Sequence, residues 1–196
     1  MTASRFITKD ELKRIRQTLV GVRNSQRNLG IVNFLTYTGA RVNEVFKVRV
    51  SDILIPENRT IKEQFYLEDT KGGVDRLVFI PPRLKNHLLE YLTETNKINY
   101  KGSELDNPLF PSERNPKKFI HSVSGCRLVN NILKRAGVET TSHGFRKLYC
   151  SNIRAITKDP FICQTAMAHK HPSTTALYWQ GDQMEVSKAV SNLNMG

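Results

Sequence analysis

A change of sequence texture at residues 51–80 constrains the fold more than any other feature. Before and after this stretch, apolar residues recur at the spacing that amphipathic helices require. Within it, β-branched and aromatic residues form runs separated by turns, at residues 53–55, 61–67 and 77–80. The pattern predicts a mainly α-helical α+β domain with a small sheet of three antiparallel strands.

Capping residues and glycines predict where the helices around the sheet begin and end. Thr8 and Glu11 have the spacing of a capping box, which predicts a first helix from about residue 9. Gly39 is placed to end a second helix, from about residue 26 to 38, in a left-handed conformation. Further helices are expected from residue 41, from residue 82, and at residues 122–136, 142–157, 160–168, 173–179 and 182–192.

Length and charge limit the classes of protein. A chain of 196 residues fits one compact domain, so residues 1–196 are interpreted as a single unit. The 30 Lys and Arg against 18 Asp and Glu give a formal net charge of +12, which favours a polyanionic partner, nucleic acid first. A solvated basic surface without a partner is the alternative.

The sequence shows no sign of export or of membrane insertion. No apolar run is long enough to span a bilayer, and the polar residues 1–5 lack the apolar stretch of a signal peptide. Cys126, Cys150 and Cys163 are odd in number and lack the spacing of paired metal ligands, which argues against a disulfide framework and a zinc site. We therefore expect a soluble cytoplasmic protein with three reduced thiols and no membrane partner.

Three separated segments contain candidates for chemistry. In the first, Gly39 ends one helix, Arg41 begins the next, and Glu44 follows three residues later. Residues three apart share a helix face, so Glu44 can hold the Arg41 guanidinium in one orientation while other N–H groups bind an oxyanion. A surface ion pair would give the same spacing.

The second segment is Ser142-His143-Gly144-Phe145-Arg146. Ser142 is placed to cap a helix on which His143 and Arg146 share one face. A histidine exchanges protons near neutral pH and an arginine keeps its charge, so the pair suits a phosphate. The same pair also fits an ordinary solvated helix surface.

The third segment places His169 nine residues before Tyr178, which follows a turn. Such a tyrosine is a candidate nucleophile, although an isolated tyrosine is more often a core aromatic. Tyr149 is a second candidate, three residues past Arg146, but its helix is expected to face the core. His169 and His171 would need further ligands to hold a metal, and no acidic or cysteine cluster lies nearby in the sequence.

Together the three segments and one hairpin resemble the tyrosine recombinases, or phage integrases. The matching positions are, in order, Arg41 in Thr-Gly-x-Arg-x-x-Glu, Lys71 in the hairpin Thr-Lys-Gly-Gly, His143 and Arg146 in His-x-x-Arg, His169, and Tyr178. The resemblance runs from about residue 8 to the end of the chain. It implies the catalytic-domain fold of that family, which is mostly helical with a small antiparallel sheet.

The resemblance also implies a mechanism of DNA cleavage and rejoining. Tyr178 would attack a DNA phosphate and form a covalent 3′-phosphotyrosine intermediate. Arg41, supported by Glu44, and Arg146 would hold the two non-bridging oxygens of that phosphate.

The resemblance implies that the remaining site residues transfer protons. His143 and His169 would supply hydrogen bonds and proton transfer, and Lys71 would protonate the 5′-oxygen as it leaves. Neither a metal nor any other cofactor is expected, because the phosphotyrosine bond preserves the energy of the broken phosphodiester. The implied partners are double-stranded DNA recombination sites, a tetramer of the chain on paired sites, and accessory DNA-bending proteins.

Several positions depart from the family pattern. Ala168 stands where the family usually has glycine, and Lys147 where it often has histidine; neither change removes a catalytic group. The N-terminal core-binding domain that most members carry has no counterpart ahead of residue 8, so the expectation is either an excised catalytic fragment or a minimal single-domain member. Residues 182–196 are expected to form a tail helix that packs on its own domain or docks on a neighbouring protomer.

Three other functions are compatible with parts of the pattern. A type IB-like topoisomerase would share the chemistry but relax supercoils without a required sequence. A catalytically inactive DNA-binding relative would share the fold, although the retained Arg, Lys, His and Tyr set argues against it. An RNA-binding basic domain is disfavoured because the sequence has no aromatic-rich stacking motif.

Overall fold

Helices dominate the order of elements along the chain. The computed structural model describes residues 5–68 and 75–167, and within these ranges eight α-helices and four short strands follow one another. The helices are α1 (Lys9–Gln17), α2 (Ser25–Thr38), α3 (Val42–Val45), α4 (Val50–Ile53), α5 (Pro82–Glu94), α6 (Ser122–Arg135), α7 (His143–Thr157) and α8 (Pro160–Met167). The strands are β1 (Leu54–Ile55), β2 (Thr60–Ile61), β3 (Gln64–Leu67) and β4 (Arg76–Phe79), and two 3₁₀ helices lie at Lys97–Asn99 and Gly102–Asp106. The predicted mainly helical α+β architecture is confirmed.

The expectation of one three-stranded sheet is wrong, because the described strands form two antiparallel sheets of two strands each. The strand expected at residues 61–67 is interrupted at Lys62 and Glu63, so β1 pairs antiparallel with β2 while β3 pairs antiparallel with β4. The N–H of Lys62 donates to the carbonyl of Ile53, and the N–H of Ile80 donates to the carbonyl of Glu63, both at 2.8 Å. Residues 60–67 therefore pair with β1 before the interruption and with β4 after it, so each pair of strands is short.

Helix α2 forms the centre of the hydrophobic core. Ten of its fourteen residues are buried, and α5 and α7 pack against it. The ring of Phe34 on this helix lies 5.8 Å from the ring of Phe65 on β3 and 5.8 Å from that of Phe110. Because these rings come from three distant parts of the chain, α2 holds the sheet and the loop after α5 in one core.

The predicted capping box begins helix α1. The Thr8 hydroxyl accepts a hydrogen bond from the backbone N–H of Glu11 at 3.2 Å, and the Glu11 carboxylate accepts one from the N–H of Thr8 at 2.9 Å. The same carboxylate pairs with the guanidinium of Arg5. One buried glutamate thus holds the first helical turn and the segment that precedes it.

The expectation of three reduced thiols is wrong for two of them. Cys150 on α7 and Cys163 on α8 are buried and joined by a disulfide bond, with their Cα atoms 6.1 Å apart, while Cys126 is free. The sequence separation of 13 is not a metal-ligand spacing, and only the packing of α7 on α8 brings the two sulfurs together. Met167 completes the small apolar cluster at this contact.

Among residues 5–68 and 75–167, no helix combines the length and the apolar character that crossing a bilayer requires.

The ion pair of the buried Glu11 with the exposed Arg5 predicts a pH-dependent stability. The hydrogen bond from Arg5, followed by those from Thr8, holds the pKa of Glu11 at about 2, although desolvation opposes them. A lowered carboxyl pKa stabilises the fold fully above the unfolded value of ~4.3, and this contribution is lost as the pH falls towards 2. We expect Glu11→Gln to melt below the parent protein at pH 7 and the gap to close between about pH 4 and pH 2.

Thermal unfolding followed by circular dichroism from pH 7 to pH 2 measures this gap. The exposed Glu57 in the turn between β1 and β2 provides the matched control, Glu57→Gln, whose gap should be small at every pH. A gap for Glu11→Gln that stays constant down to pH 2 would contradict the assignment.

Candidate active site

The turn after α2 places Arg41 at the start of α3. Glu44 accepts hydrogen bonds from the Arg41 guanidinium at 2.6 Å and from the Arg41 backbone N–H at 2.7 Å, through different carboxylate oxygens. Glu44 is 2% exposed, whereas the side chain of Arg41 is 34% exposed. The expected contact is present, and it orients an accessible cation by means of a buried anion.

Gly39 allows α7 to lie directly on this turn. Its φ of 60° is in the left-handed region, and its N–H donates to the carbonyl of Leu35 to close α2. A Cβ added at Gly39 would overlap the ring of Tyr149 on α7. Backbone conformation and packing both require glycine here, and the predicted end of α2 is confirmed.

Arg146 on α7 is buried with its charge. It is 2% exposed, and its two terminal nitrogens donate to the carbonyl of Gly39 and the carbonyl of Met167, each at 2.8 Å. Hydrogen bonds to main-chain carbonyls offset part of the desolvation of a guanidinium. Arg146 therefore joins the turn before Arg41 to the end of α8.

His143 is exposed in the first turn of α7, and the start of this helix differs from the prediction. Ser142 adopts a right-handed helical conformation, and its side chain makes no capping hydrogen bond. The N–H of Gly144, which such a cap would accept, donates instead to the carbonyl of Thr141 at 2.8 Å. The expectation that Ser142 caps the helix is therefore wrong, and its own backbone N–H donates to the side-chain oxygen of Asn130 on α6 at 3.0 Å.

A cavity of about 230 Å³ collects the predicted residues that the structure describes. Arg41, His143 and Arg146 line it, together with Asn43 and Cys126. These residues come from three parts of the sequence, which the packing of α3 on α6 and of both α3 and α7 on α2 brings together. Two guanidiniums and an imidazole around one cavity form an environment suited to a phosphate.

Three predicted site residues, Lys71, His169 and Tyr178, lie outside the described residues, as do His171 and the tail at 182–196. The described chain reaches residue 68 and resumes at residue 75, on the two sides of Lys71. Helix α8 is described as far as Met167, two residues before His169 in the sequence.

Sequence reasoning missed Arg76, which the structure places beside the candidate site. Arg76 is 7% exposed, and it donates to the carbonyl of Thr38 at 3.0 Å and to the carbonyl of Ala166 at 2.9 Å. Its guanidinium also lies 4.0 Å from the Glu44 carboxylate. Burial lowers the pKa of Arg76, and Glu44 acts in the opposite direction. The available signal was an arginine at an inward position of β4, where Val78 is buried two residues later.

Tyr149, the second candidate nucleophile, is largely enclosed by the same elements. Burial raises the pKa of its phenol, while Arg76 and Arg146 act in the opposite direction. Its ring packs on Gly39 rather than lining the cavity. A phenol in this environment forms the phenolate less readily than an exposed tyrosine does.

Within the described residues, no group of three or more His, Cys, Asp or Glu side chains is arranged to hold a metal ion.

Comparison with known proteins places the chain in a family. A sequence model described as the phage integrase family matches residues 5–185. The chain belongs to this family. It is 26% identical over 193 residues to a tyrosine recombinase of Thermosipho africanus (strain TCF52B), an alignment that covers 96% of this chain and 61% of that protein.

Solved structures of phage integrase relatives share the fold. The crystal structure of XerA recombinase matches with a TM-score of 0.72 and 22% identity, over 95% of this chain and 64% of that one. A XerH site-specific recombinase, solved as a post-cleavage complex with its palindromic difH substrate, matches with a TM-score of 0.70 and 19% identity, over 96% of this chain and 53% of that one. The expected catalytic-domain fold is confirmed.

The chain spans between 55 and 63% of the length of the first three curated relatives that it matches.

The turn at Gly39 generates a stability prediction with an internal control. Gly39→Ala forces a side chain into the left-handed region, at about 1–2 kcal/mol, and into the ring of Tyr149, at about 1–3 kcal/mol more. Gly21 has a similar φ of 72° with nothing near a Cβ, so Gly21→Ala should lose only the first amount. Urea unfolding measures both free energies, and equal losses would show that Tyr149 yields without strain.

Proposed function

We propose that this chain is the catalytic part of a site-specific DNA recombinase that cleaves and rejoins DNA strands through a covalent 3′-phosphotyrosine intermediate. The observation that supports the proposal most strongly is the cavity lined by Arg41, His143 and Arg146. Membership of the phage integrase family supplies the chemistry that this arrangement would perform.

The two arginines act on the phosphate. Arg41 and Arg146 bind its non-bridging oxygens and stabilise the extra negative charge of the pentavalent transition state. Glu44 keeps Arg41 in position, so little reorganisation is needed when the charge develops. A guanidinium has five N–H donors, which lets one side chain bind both the main chain and a phosphate.

Tyr178 is the proposed nucleophile. A tyrosine phenol ordinarily titrates at ~10 and reacts poorly at neutral pH unless nearby cations favour the phenolate. The oxygen of Tyr178 bonds to phosphorus as the bond from phosphorus to the 5′-oxygen breaks. His143 and His169 accept and relay the phenol proton, and Lys71 donates a proton to the departing 5′-oxygen. Rejoining reverses these steps with the 5′-hydroxyl of a second strand.

Double-stranded DNA recombination sites are the proposed substrate. The net charge of +12 suits a polyanion. The relative XerH has been solved with its difH substrate both before and after cleavage. We extend the proposal to a tetramer assembled on paired sites in the cytoplasm, with residues 182–196 docking on a neighbouring protomer and with accessory DNA-bending proteins.

The identity of the nucleophile is tested by a pair of tyrosine variants. A nicked substrate, from which the cleaved strand end diffuses away, traps the covalent complex for a denaturing gel. We expect the parent protein and Tyr149→Phe to form the complex and Tyr178→Phe to form none, because only the Tyr178 hydroxyl is the attacking group. Recovery of complex from Tyr178→Phe, or its loss in Tyr149→Phe alone, would contradict the proposal.

The role of Arg41 is tested separately from DNA binding. Removing one charge-stabilising donor typically costs ~10²–10³ in rate, so Arg41→Ala should slow covalent complex formation by that factor at saturating DNA. A gel shift should show DNA affinity changed far less. Arg23, whose exposed side chain pairs with Glu113 near the other end of α2, provides the control Arg23→Ala, which should cleave at the parental rate. Parental cleavage by Arg41→Ala would remove Arg41 from the mechanism.

A further inference from the structure

We propose that Arg76 is a positioning residue for the cleavage reaction, because it fastens the end of α8 to the turn that carries Arg41. The inference rests on the proposed function. Arg76 does not line the cavity that Arg41, His143 and Arg146 share within the described chain, so it would act through the residues that it holds and not on the phosphate itself.

Two buried arginines make the same connection side by side. Arg76 donates to the carbonyls of Thr38 and Ala166, and Arg146 donates to the carbonyls of Gly39 and Met167. The acceptors are thus two consecutive carbonyls at the end of α2 and the carbonyls of the last two residues of α8 that the structure describes. The two guanidiniums form a double clamp between these helix ends.

The chemistry of helix ends explains why the clamp is made of arginines. The last carbonyls of a helix have no partner within the helix and carry the negative end of its dipole. A guanidinium satisfies such carbonyls and neutralises that partial charge. Its planar fork can reach two acceptors on different segments at once, which the single ammonium of a lysine cannot do with the same geometry.

Arg76 also contacts the group that orients Arg41. The Glu44 carboxylate lies 4.0 Å from the Arg76 guanidinium and accepts a hydrogen bond from Arg41 through its other oxygen. A buried carboxylate between two cations is held more firmly than one with a single partner. Loss of Arg76 would therefore loosen the support of Arg41 as well as the end of α8.

The position of Arg76 in the chain connects it to the other predicted site residues. It is the first residue of β4, five residues after Lys71, and its acceptor Ala166 lies three residues before His169. The Arg41 turn, the β3–β4 hairpin and α8 therefore meet at one guanidinium. A displacement of about 1 Å among reacting groups can cost ~10² in rate, so a residue outside the cavity can still control the reaction.

The test separates the chemical step from folding and from DNA binding. Arg76→Met keeps an unbranched apolar stem but removes the donors and the charge, and Arg76→Lys keeps the charge but removes the fork. Arg27→Met is the matched control, because Arg27 is also buried and donates to a main-chain carbonyl, that of Pro111 at 3.1 Å. It lies 11 residues from Thr38 on α2, at about 16 Å along the helix.

Each full-length variant is assayed by thermal unfolding, by gel shift on an intact site, and by covalent complex formation on the nicked site at saturating protein. We expect Arg76→Met to slow complex formation about 10²-fold and Arg76→Lys about 10-fold. Affinity for DNA should change by less than about threefold, since Arg76 is buried. Arg27→Met should melt lower but form the complex at the parental rate.

Several results would contradict the proposed role of Arg76. Parental rates in both Arg76 variants, a parallel loss of affinity and rate, or an equal slowing in Arg27→Met would overturn the positioning role. If Arg76→Met does not fold at the assay temperature, the rate of Arg76→Lys decides in the same way. Failure of the parent protein to form any covalent complex would instead overturn the proposed function itself, and with it this inference.

Discussion

The left-handed turn at Gly39 is the constraint on which the rest of the described site depends. It ends α2, directs the chain into α3, and presents two carbonyls, those of Thr38 and Gly39, to Arg76 and Arg146. A residue with a Cβ would strain this turn and push Tyr149 away. Because α7 approaches so closely, the guanidinium of Arg146 and the guanidinium of Arg41 face one cavity.

The electrostatics of this region favour preorganisation. Three guanidiniums surround the turn, and the Glu44 carboxylate lies between two of them, Arg41 and Arg76. Buried charges are tolerated when hydrogen bonds satisfy them, and here Arg76 and Arg146 each donate to two main-chain carbonyls. A cavity whose cations are already fixed by packing is suited to bind a phosphate with little reorganisation.

Sequence patterns predicted several local features of the fold and of the site. The end of α2 at Gly39, the capping box of Thr8 and Glu11, and the contact of Arg41 with Glu44 all appear in the structure. Each of them depends on residues within four positions of one another, where backbone geometry limits the choices. The catalytic roles of the site residues stay predictions, and those of Lys71, His169 and Tyr178 concern positions outside the described residues.

Contacts between residues distant in the sequence could not be predicted from local sequence patterns. The sequence by itself determined the family, the helical class, the break in texture before residue 81 and the pairing of Arg41 with Glu44, because local spacing carries that information. Only the tertiary structure decided that Arg76 is buried beside Glu44, that the Asn130 side chain accepts the N–H of Ser142 ahead of α7, and that Cys150 meets Cys163. These contacts join residues that are distant in the sequence, so they depend on how whole helices pack, which no local pattern records.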